Sequence, residues 1–155
     1  MRWAYVESPI GELAYAVDDT GVCAVHFGGK PGAPLGTDDV GDQLRAYFDG
    51  SLTSFDVKLS VTRGSAFERA VWEQMLKIPY GETRSYGYVA AAVGEPGGAQ
   101  AVGTACNRNP IPVIVPCHRI IGADGKLVGF GGGLDRKRIL LELEAATKMQ
   151  LDWLS

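Results

Sequence analysis

Apolar residues recur along this chain first with the period of strands and later with that of helices. Residues 2–7, 12–17 and 22–27 mix apolar with polar or small side chains over short runs, so each reads as a strand. Ser8-Pro9-Ile10-Gly11 and Asp18-Asp19-Thr20-Gly21 are turn sequences between them. Three short strands joined by tight turns predict a β-meander. Residues 28–36, with two prolines and four glycines, read as a loop. From 38 to 48 the period changes. Val40, Leu44, Tyr47 and Phe48 share one helical face, acids fill the first turn, Thr37 is the expected N-cap and Gly50 the stop. Residues 55–61 alternate again and predict another strand.

Beyond a linker, Thr62-Arg63-Gly64-Ser65, the helical period dominates. Ser65 is placed to cap a helix over 66–77, with Phe67, Val71, Met75 and Ile78 as its apolar stripe. Ser85 is placed to cap a second helix over 86–93, and after the break Gly94-Glu95-Pro96-Gly97-Gly98 a third runs over 99–107. Residues 111–115 are β-branched almost throughout and predict buried extended chain, stopped by Pro116. Residues 127–130 read as short and extended, Gly131-Gly132-Gly133 follows, and a last helix is expected over 135–147. Leu140, Leu141 and Leu143 should pack, with Glu144 facing in or out. Arg136-Lys137-Arg138 reads as a solvated face, and Trp153 in the tail is expected to dock on the first lobe. The predicted fold is an α/β N-terminal lobe over 1–62, a small β-meander sheet plus a helix. A mainly helical C-terminal domain with a helix-turn-helix follows over 63–155.

Charge divides the same way. Residues 1–62 carry four basic and nine acidic side chains, a net of −5, whereas 63–145 carry ten and eight, a net of +2. Any surface for nucleic acid therefore belongs to the second part, although the net charge of −3 is not that of a typical nucleic-acid binder. No run of about 18 apolar residues suggests a membrane span. Three cysteines without a CxxC pair do not make a disulfide framework, which points to a reducing, cytoplasmic compartment. Cys23 and His26 fall on opposite faces of a strand with no further ligands at metal-binding spacing, so no metal is expected.

The chemistry concentrates at Pro116-Cys117-His118-Arg119. A cysteine is a strong nucleophile only as thiolate, and a neighbouring base or positive dipole makes it one. Cys117, His118 and Glu144 supply a nucleophile, a base and an orienting group. Acidifying the thiol alone gains little. At pH 7 a thiol of pKa ~8.5 is roughly 3% ionised, so full ionisation is worth about 30-fold. The accompanying loss of nucleophilicity is roughly 13-fold, leaving about threefold. Alignment of sulfur with the electrophilic carbon has to supply more. The helix over 99–107 is almost all small residues, with Gln100 its one long polar side chain, which suits close approach to a minor groove or to another helix.

Pro116-Cys117-His118-Arg119, with Asn109-Pro110 eight and seven residues before the cysteine, resembles the methylated-DNA–protein-cysteine methyltransferases, also called O6-alkylguanine-DNA alkyltransferases. The resemblance is close over 67–144 and looser before. It implies that Cys117 takes the alkyl group from O6 of guanine, and from O4 of alkylthymine, in duplex DNA, once per molecule and without a cofactor. It implies that His118 acts as base through a water, Glu144 holds His118, Asn109 braces the turn, and Tyr86 contacts guanine N3 while the nucleotide rotates out of the stack. Ala99, Gln100, Ala101, Gly103 and Thr104 would meet the minor groove, with Arg119 also on the DNA. Val115, Pro116, Ile120, Phe130, Gly131 and Gly132 would line the pocket. The carbonyls of Cys117 and Ile120 would accept from the exocyclic amine, and the Gly131 amide would donate to O6. The family usually has arginine where this chain has Gln100, and tyrosine where it has Phe130. The protein is expected to be monomeric when free, with no membrane partner. The rival readings are a cysteine hydrolase that turns over, a non-catalytic binder of damaged DNA, and a zinc protein.

Overall fold

A computed structural model of the chain describes residues 1–125 and 132–154. The chain forms two compact units, Met1–Thr62 with Pro110–Ile114, and Arg63–Asn109 with Val115–Ser155. A boundary after residue 62 therefore misses one exchange. Five residues of the later chain belong to the first unit, where the Val25 amide donates to the Pro110 carbonyl at 3.0 Å.

In the first unit β1 (Arg2–Val6), β2 (Leu13–Val17) and β3 (Val22–Phe27) form the expected antiparallel meander, in that order across the sheet. Tyr5 stands opposite Ala14, and Tyr15 opposite Val25. Leu13, Ala14, Tyr15 and Ala16 are all buried, so both faces of the central strand are covered. Helix α1 (Asp39–Phe48) buries Leu44, Tyr47 and Phe48. Its cap is Asp38, one residue after the expected Thr37. The Asp38 carboxylate accepts the Gly41 amide at 3.0 Å and also the Tyr15 hydroxyl at 2.6 Å, tying the helix start to the sheet. The strand expected over 55–61 does not form. Only a parallel bridge between Val22 and Leu59 remains, because the Asp56 amide donates to the Gln43 side chain, at 2.8 Å, rather than to a strand. The Val22 amide donates to Lys58 O and the Ser60 amide to Val22 O, so the segment meets the sheet backbone at Val22. Gly21 makes that close approach possible, since a Cβ there would run into the Lys58 carbonyl.

In the second unit α2 (Ala66–Leu76) begins at a reciprocal cap. Ser65 Oγ accepts the Glu68 amide at 3.1 Å, and the Glu68 carboxylate accepts the Ser65 amide at 2.9 Å. Val71 and Met75 are buried as expected, and so is Trp72. A short strand β4 (Arg84–Ser85) leads into α3 (Tyr86–Ala92), capped by Ser85, and then into α4 (Ala99–Asn107). The Trp72 indole N–H donates to the Ala105 carbonyl at 2.8 Å inside the core, pinning α2 to α4. A 3-10 turn at Cys117–Arg119 runs into β5 (Ile120–Ile121), which pairs parallel with β4, Arg84 beside Ile120 and Ser85 beside Ile121. The last helix, α5 (Leu134–Leu154), is seven residues longer at its end than the expected stop at 147, because nothing from Lys148 to Leu154 breaks a helix. Trp153 is 88% exposed and is not docked. The expected extended stretch over 127–130 lies outside the described residues.

Trp72→Phe keeps most of the ring but removes the donor to Ala105 O. The Ala105 carbonyl keeps the Arg108 amide at 3.2 Å, so losing the indole bond should cost about 0.5–1.5 kcal/mol in urea denaturation. An unchanged unfolding midpoint would show that the indole bond does not hold α2 against α4.

Candidate active site

The segment before the cysteine is shaped by its prolines. Pro110 and Pro112 lack N–H groups, so the run cannot pair as a regular strand. All of residues 111–120 are buried, as expected, but 111–115 is a turn rather than extended chain. Val113 sits at φ 74°, the one positive-φ residue other than glycine among those described. For a β-branched residue this costs on the order of 1–3 kcal/mol, so the surroundings must impose it. Asn109 Nδ2 donates to the Val115 carbonyl at 2.9 Å and closes the excursion at its base. From there the Cys117 amide donates to Val115 O at 2.8 Å, the Arg119 amide to Pro116 O at 3.0 Å, and the Ile120 amide to Cys117 O. Cys117 thus opens a single tight turn whose backbone is bonded on both sides.

The residues on that turn separate into two tasks. Cys117 is buried, and burial pushes its thiol up to about 11 against the opposing pull of the Asn109 side chain and the Lys137 charge. His118 is fully buried, with Nε2 2.7 Å from Glu144 Oε2. Burial holds its pKa below the ordinary imidazole value despite the carboxylate, so the ring is neutral. Glu144, as carboxylate, can only accept. Nε2 therefore carries the hydrogen and Nδ1 the lone pair. Nδ1 is buried and has no hydrogen-bond partner among the described residues.

Arg119, expected on the DNA, is instead buried against Glu144. Its Nε donates to Oε1 at 2.8 Å and its Nη2 to Oε2 at 2.9 Å, while Nη1 donates to the Ile78 carbonyl at 2.8 Å. Three directed bonds inside the core leave no role for it as a phosphate contact. The Gly81 amide adds a longer bond to Glu144 Oε1 at 3.3 Å. Burial pushes Glu144 upward, but His118 and Arg119 outweigh it and hold the carboxyl well below its usual range.

Lys137 is the residue that the sequence reading missed. Instead of lying on a solvated face it is fully buried, with Nζ 2.6 Å from the Ile120 carbonyl and 3.5 Å from the Tyr86 hydroxyl. The signal was present in the spacing. Lys137, Leu140, Glu144 and Thr147 follow each other at three or four residues and form the buried stripe of α5. A stripe with two charged members is unusual enough to mark a site.

Tyr86 opens α3, half-buried, and burial raises its hydroxyl to about 12, with smaller contributions from Cys106 and Cys117. On α4 the residues sort by face. Ala99, Gln100, Ala101 and Thr104 are exposed, Gly103 is intermediate beside the Tyr86 ring, and Val102, Ala105 and Cys106 are buried. Val115, Pro116, Ile120 and Gly132 are buried near the turn or at the start of α5, whereas Phe130 and Gly131 lie outside the described residues. In the first unit Cys23 Sγ lies 3.5 Å from Ala16 O, and His26 packs 4.7 Å from the Trp3 ring. Among the described residues no group of three or more His, Cys, Asp or Glu could hold a metal, and no helix is long and apolar enough to cross a membrane.

A cysteine on a braced turn beside a histidine locked in one tautomer defines a thiol-dependent reaction centre set against a helix-turn-helix. Residues 66–146 match the family described as 6-O-methylguanine DNA methyltransferase, DNA binding domain, and residues 1–61 match its ribonuclease-like domain. The chain belongs to this family. It is 51% identical to a methylated-DNA–protein-cysteine methyltransferase of Mycobacterium tuberculosis, over 93% of this chain and 92% of that one. It is 47% identical to one from Methanosarcina acetivorans, over 94% and 99%. The crystal structure of Mycobacterium tuberculosis OGT in complex with DNA matches with a TM-score of 0.86 at 46% identity, covering 95% of this chain and 94% of that one.

Glu144→Gln removes the charge that Arg119 and His118 face, leaving a buried guanidinium uncompensated. The variant should lose about 3–5 kcal/mol of stability at pH 7 by urea denaturation. The depressed carboxyl of Glu144 contributes stability that is complete above its unfolded pKa and lost as pH falls toward its folded one. The lowered imidazole of His118 acts in the same direction, because it protonates more readily unfolded. Wild-type stability should therefore fall on acidification below about pH 6.5, and the gap to Glu144→Gln should narrow below about pH 4. A gap that stays constant down to pH 3 would contradict the charge-pair account.

Proposed function

We propose that this protein repairs alkylated DNA by moving the alkyl group from O6 of guanine, and from O4 of alkylthymine, to Cys117. The observation that carries the reading is the pairing of Cys117 with a neutral His118 whose Nε2–H is fixed on Glu144. The family membership of the chain and the DNA complex of its mycobacterial relative supply the substrate class. In the transfer the Cys117 proton passes to His118 Nδ1 through a water, sulfur attacks the alkyl carbon, the carbon–O6 bond breaks with its electron pair going to O6, and the base regains a proton. The product thioether has no leaving group that water can displace, so each molecule acts once.

The geometry bears on how the barrier is lowered. Burial keeps the thiol protonated rather than ionised at pH 7. A standing thiolate is therefore not the source of reactivity. Proton removal by His118 has to accompany alignment of the base, which effective molarity makes worth several kcal/mol. The damaged nucleotide must leave the stack to reach a buried sulfur, and that costs least for a weakened pair. The small residues of α4, exposed Ala99, Ala101 and Thr104 and half-buried Gly103, suit approach to the minor groove, with Gln100 entering the vacated stack. In this reading Tyr86, beside Gly103, contacts N3 of the rotated base, and Asn109 holds the turn. Val115, Pro116, Ile120 and Gly132 form the described part of the pocket. Three free thiols fit a reducing, cytoplasmic setting, and the protein acts as a monomer without a cofactor.

Incubation with a duplex containing O6-methylguanine should add one methyl, about 14 Da, per chain, all of it on Cys117 by peptide mapping. A methyl group on Cys23 or Cys106, or a Cys117→Ser chain that still takes one up, would overturn the reading. Repeated turnover on an ester would favour a hydrolase instead.

Gln100→Arg adds a cation to the exposed face of α4. DNA affinity should rise and the logarithmic salt dependence should steepen by roughly one unit, while the single-turnover rate at saturating DNA changes little. Affinity and slope identical to wild type would mean that α4 does not lie on the DNA.

A further inference from the structure

The Lys137 side chain is fully buried on the same stripe of α5 as Glu144 and has no part in the transfer as drawn above. Its position is fixed by a short bond, 2.6 Å, to the carbonyl of Ile120. The amide of that same residue donates to the Cys117 carbonyl, so a single residue links the ammonium to the backbone that carries the sulfur. The Tyr86 hydroxyl lies 3.5 Å away, and its ring centroid 5.6 Å from Nζ. Among the described residues the titratable groups that interact with the ammonium are Tyr86 on α3, Cys106 on α4, and Cys117 and His118 on the 3-10 turn. Each of the two thiols would interact favourably with it as an anion, and it opposes a charge on His118.

We propose that Lys137 is the positioning residue of the transfer: its ammonium, clamped by the Ile120 carbonyl, is the counter-charge of the Cys117 thiolate. This rests on Cys117 being the alkyl acceptor, but the charge pairing itself can be read without any transfer. When His118 takes the thiol proton, the anion forms beside a cation already in place, in an interior where the attraction is weakly screened. When sulfur gains the alkyl carbon, the negative charge leaves with the electron pair on O6 and passes to the base, which is then protonated. The ammonium stays behind next to a neutral thioether. Lys137 itself forms and breaks no covalent bond.

The test is the pH dependence of Cys117 alkylation by iodoacetamide, followed by peptide mapping, in wild type, Lys137→Met and Lys137→Arg. Lys137→Met should move the midpoint up by about one pH unit or more, so that the rate at pH 7 falls about tenfold with the high-pH plateau unchanged. Lys137→Arg should restore most of the shift. A role in packing alone would leave the midpoint where it was, and an unmoved midpoint in folded Lys137→Met overturns the proposal. Should Lys137→Met fail to fold, the side-chain carbon resonance of Lys137 in the wild-type chain decides. Its titration should shift to lower pH once Cys117 has been converted to the methyl thioether, and an identical titration before and after overturns the proposal. Failure of methyl transfer from DNA with a shifted alkylation midpoint would reject the repair reading and keep the charge pairing.

Discussion

The carboxylate of Glu144 joins three stretches of chain, two that bond to it and the helix that carries it. Gly81 reaches it from the turn after α2, and His118 and Arg119 from the turn after the cysteine, while α5 carries it inward. A lone buried carboxylate would be driven toward its neutral form. Here the bidentate Arg119 settles the charge, which frees the carboxylate to act on His118 mainly as an acceptor of known position. That division explains why the neighbouring arginine matters for chemistry although it touches no substrate. Burial keeps the imidazole neutral, and Arg119, by offsetting Glu144, weakens the opposing pull of the anion. The lone pair is then on Nδ1 before any DNA arrives.

The thiol is handled by the opposite strategy. Nothing in its surroundings lowers its pKa enough to offset burial, so it is kept as a thiol until a base and a positioned carbon are both available. A protein that reacts once cannot recover from a mistaken alkylation. A standing thiolate would be exposed to any small electrophile, whereas a protonated sulfur under a braced turn is comparatively inert. The Asn109 bond to Val115 and the imposed φ of Val113 fit the same requirement, since both hold the sulfur's approach fixed rather than make it more nucleophilic.

Much of this could be read from the sequence where local rules decide. Ser65 and Ser85 cap their helices as their neighbours dictate, the meander follows from its turns, and the small residues of α4 announce a face made for close approach. Misreadings came where tertiary partners override local preference. The β-branched run 111–115 looks extended, but Pro112 within it and Pro110 before it cannot donate to a ladder, and it folds as a turn. The alternation over 55–61 is genuine, yet the Gln43 side chain takes a bond that a strand partner would have used. Arg119 and Lys137 look like surface cations because charged residues usually are. The seven-residue spacing from Lys137 to Glu144 was the legible clue, and it outweighs the charge of either residue taken singly.

The excursion of Pro110–Ile114 into the first unit has a consequence for how the chain is made. Synthesis delivers residues 1–62 long before it delivers the five that complete their unit. Val25 therefore waits with its amide uncommitted until Pro110 emerges, by which time α2, α3 and α4 have all been translated. Domains that are continuous in sequence can fold one after another as they leave the ribosome. This chain cannot finish its N-terminal part in that order. Asn109 bonds to Val115 across the returning segment, so this clasp, like the Val25–Pro110 bond, has to wait until residues 110–115 have been made.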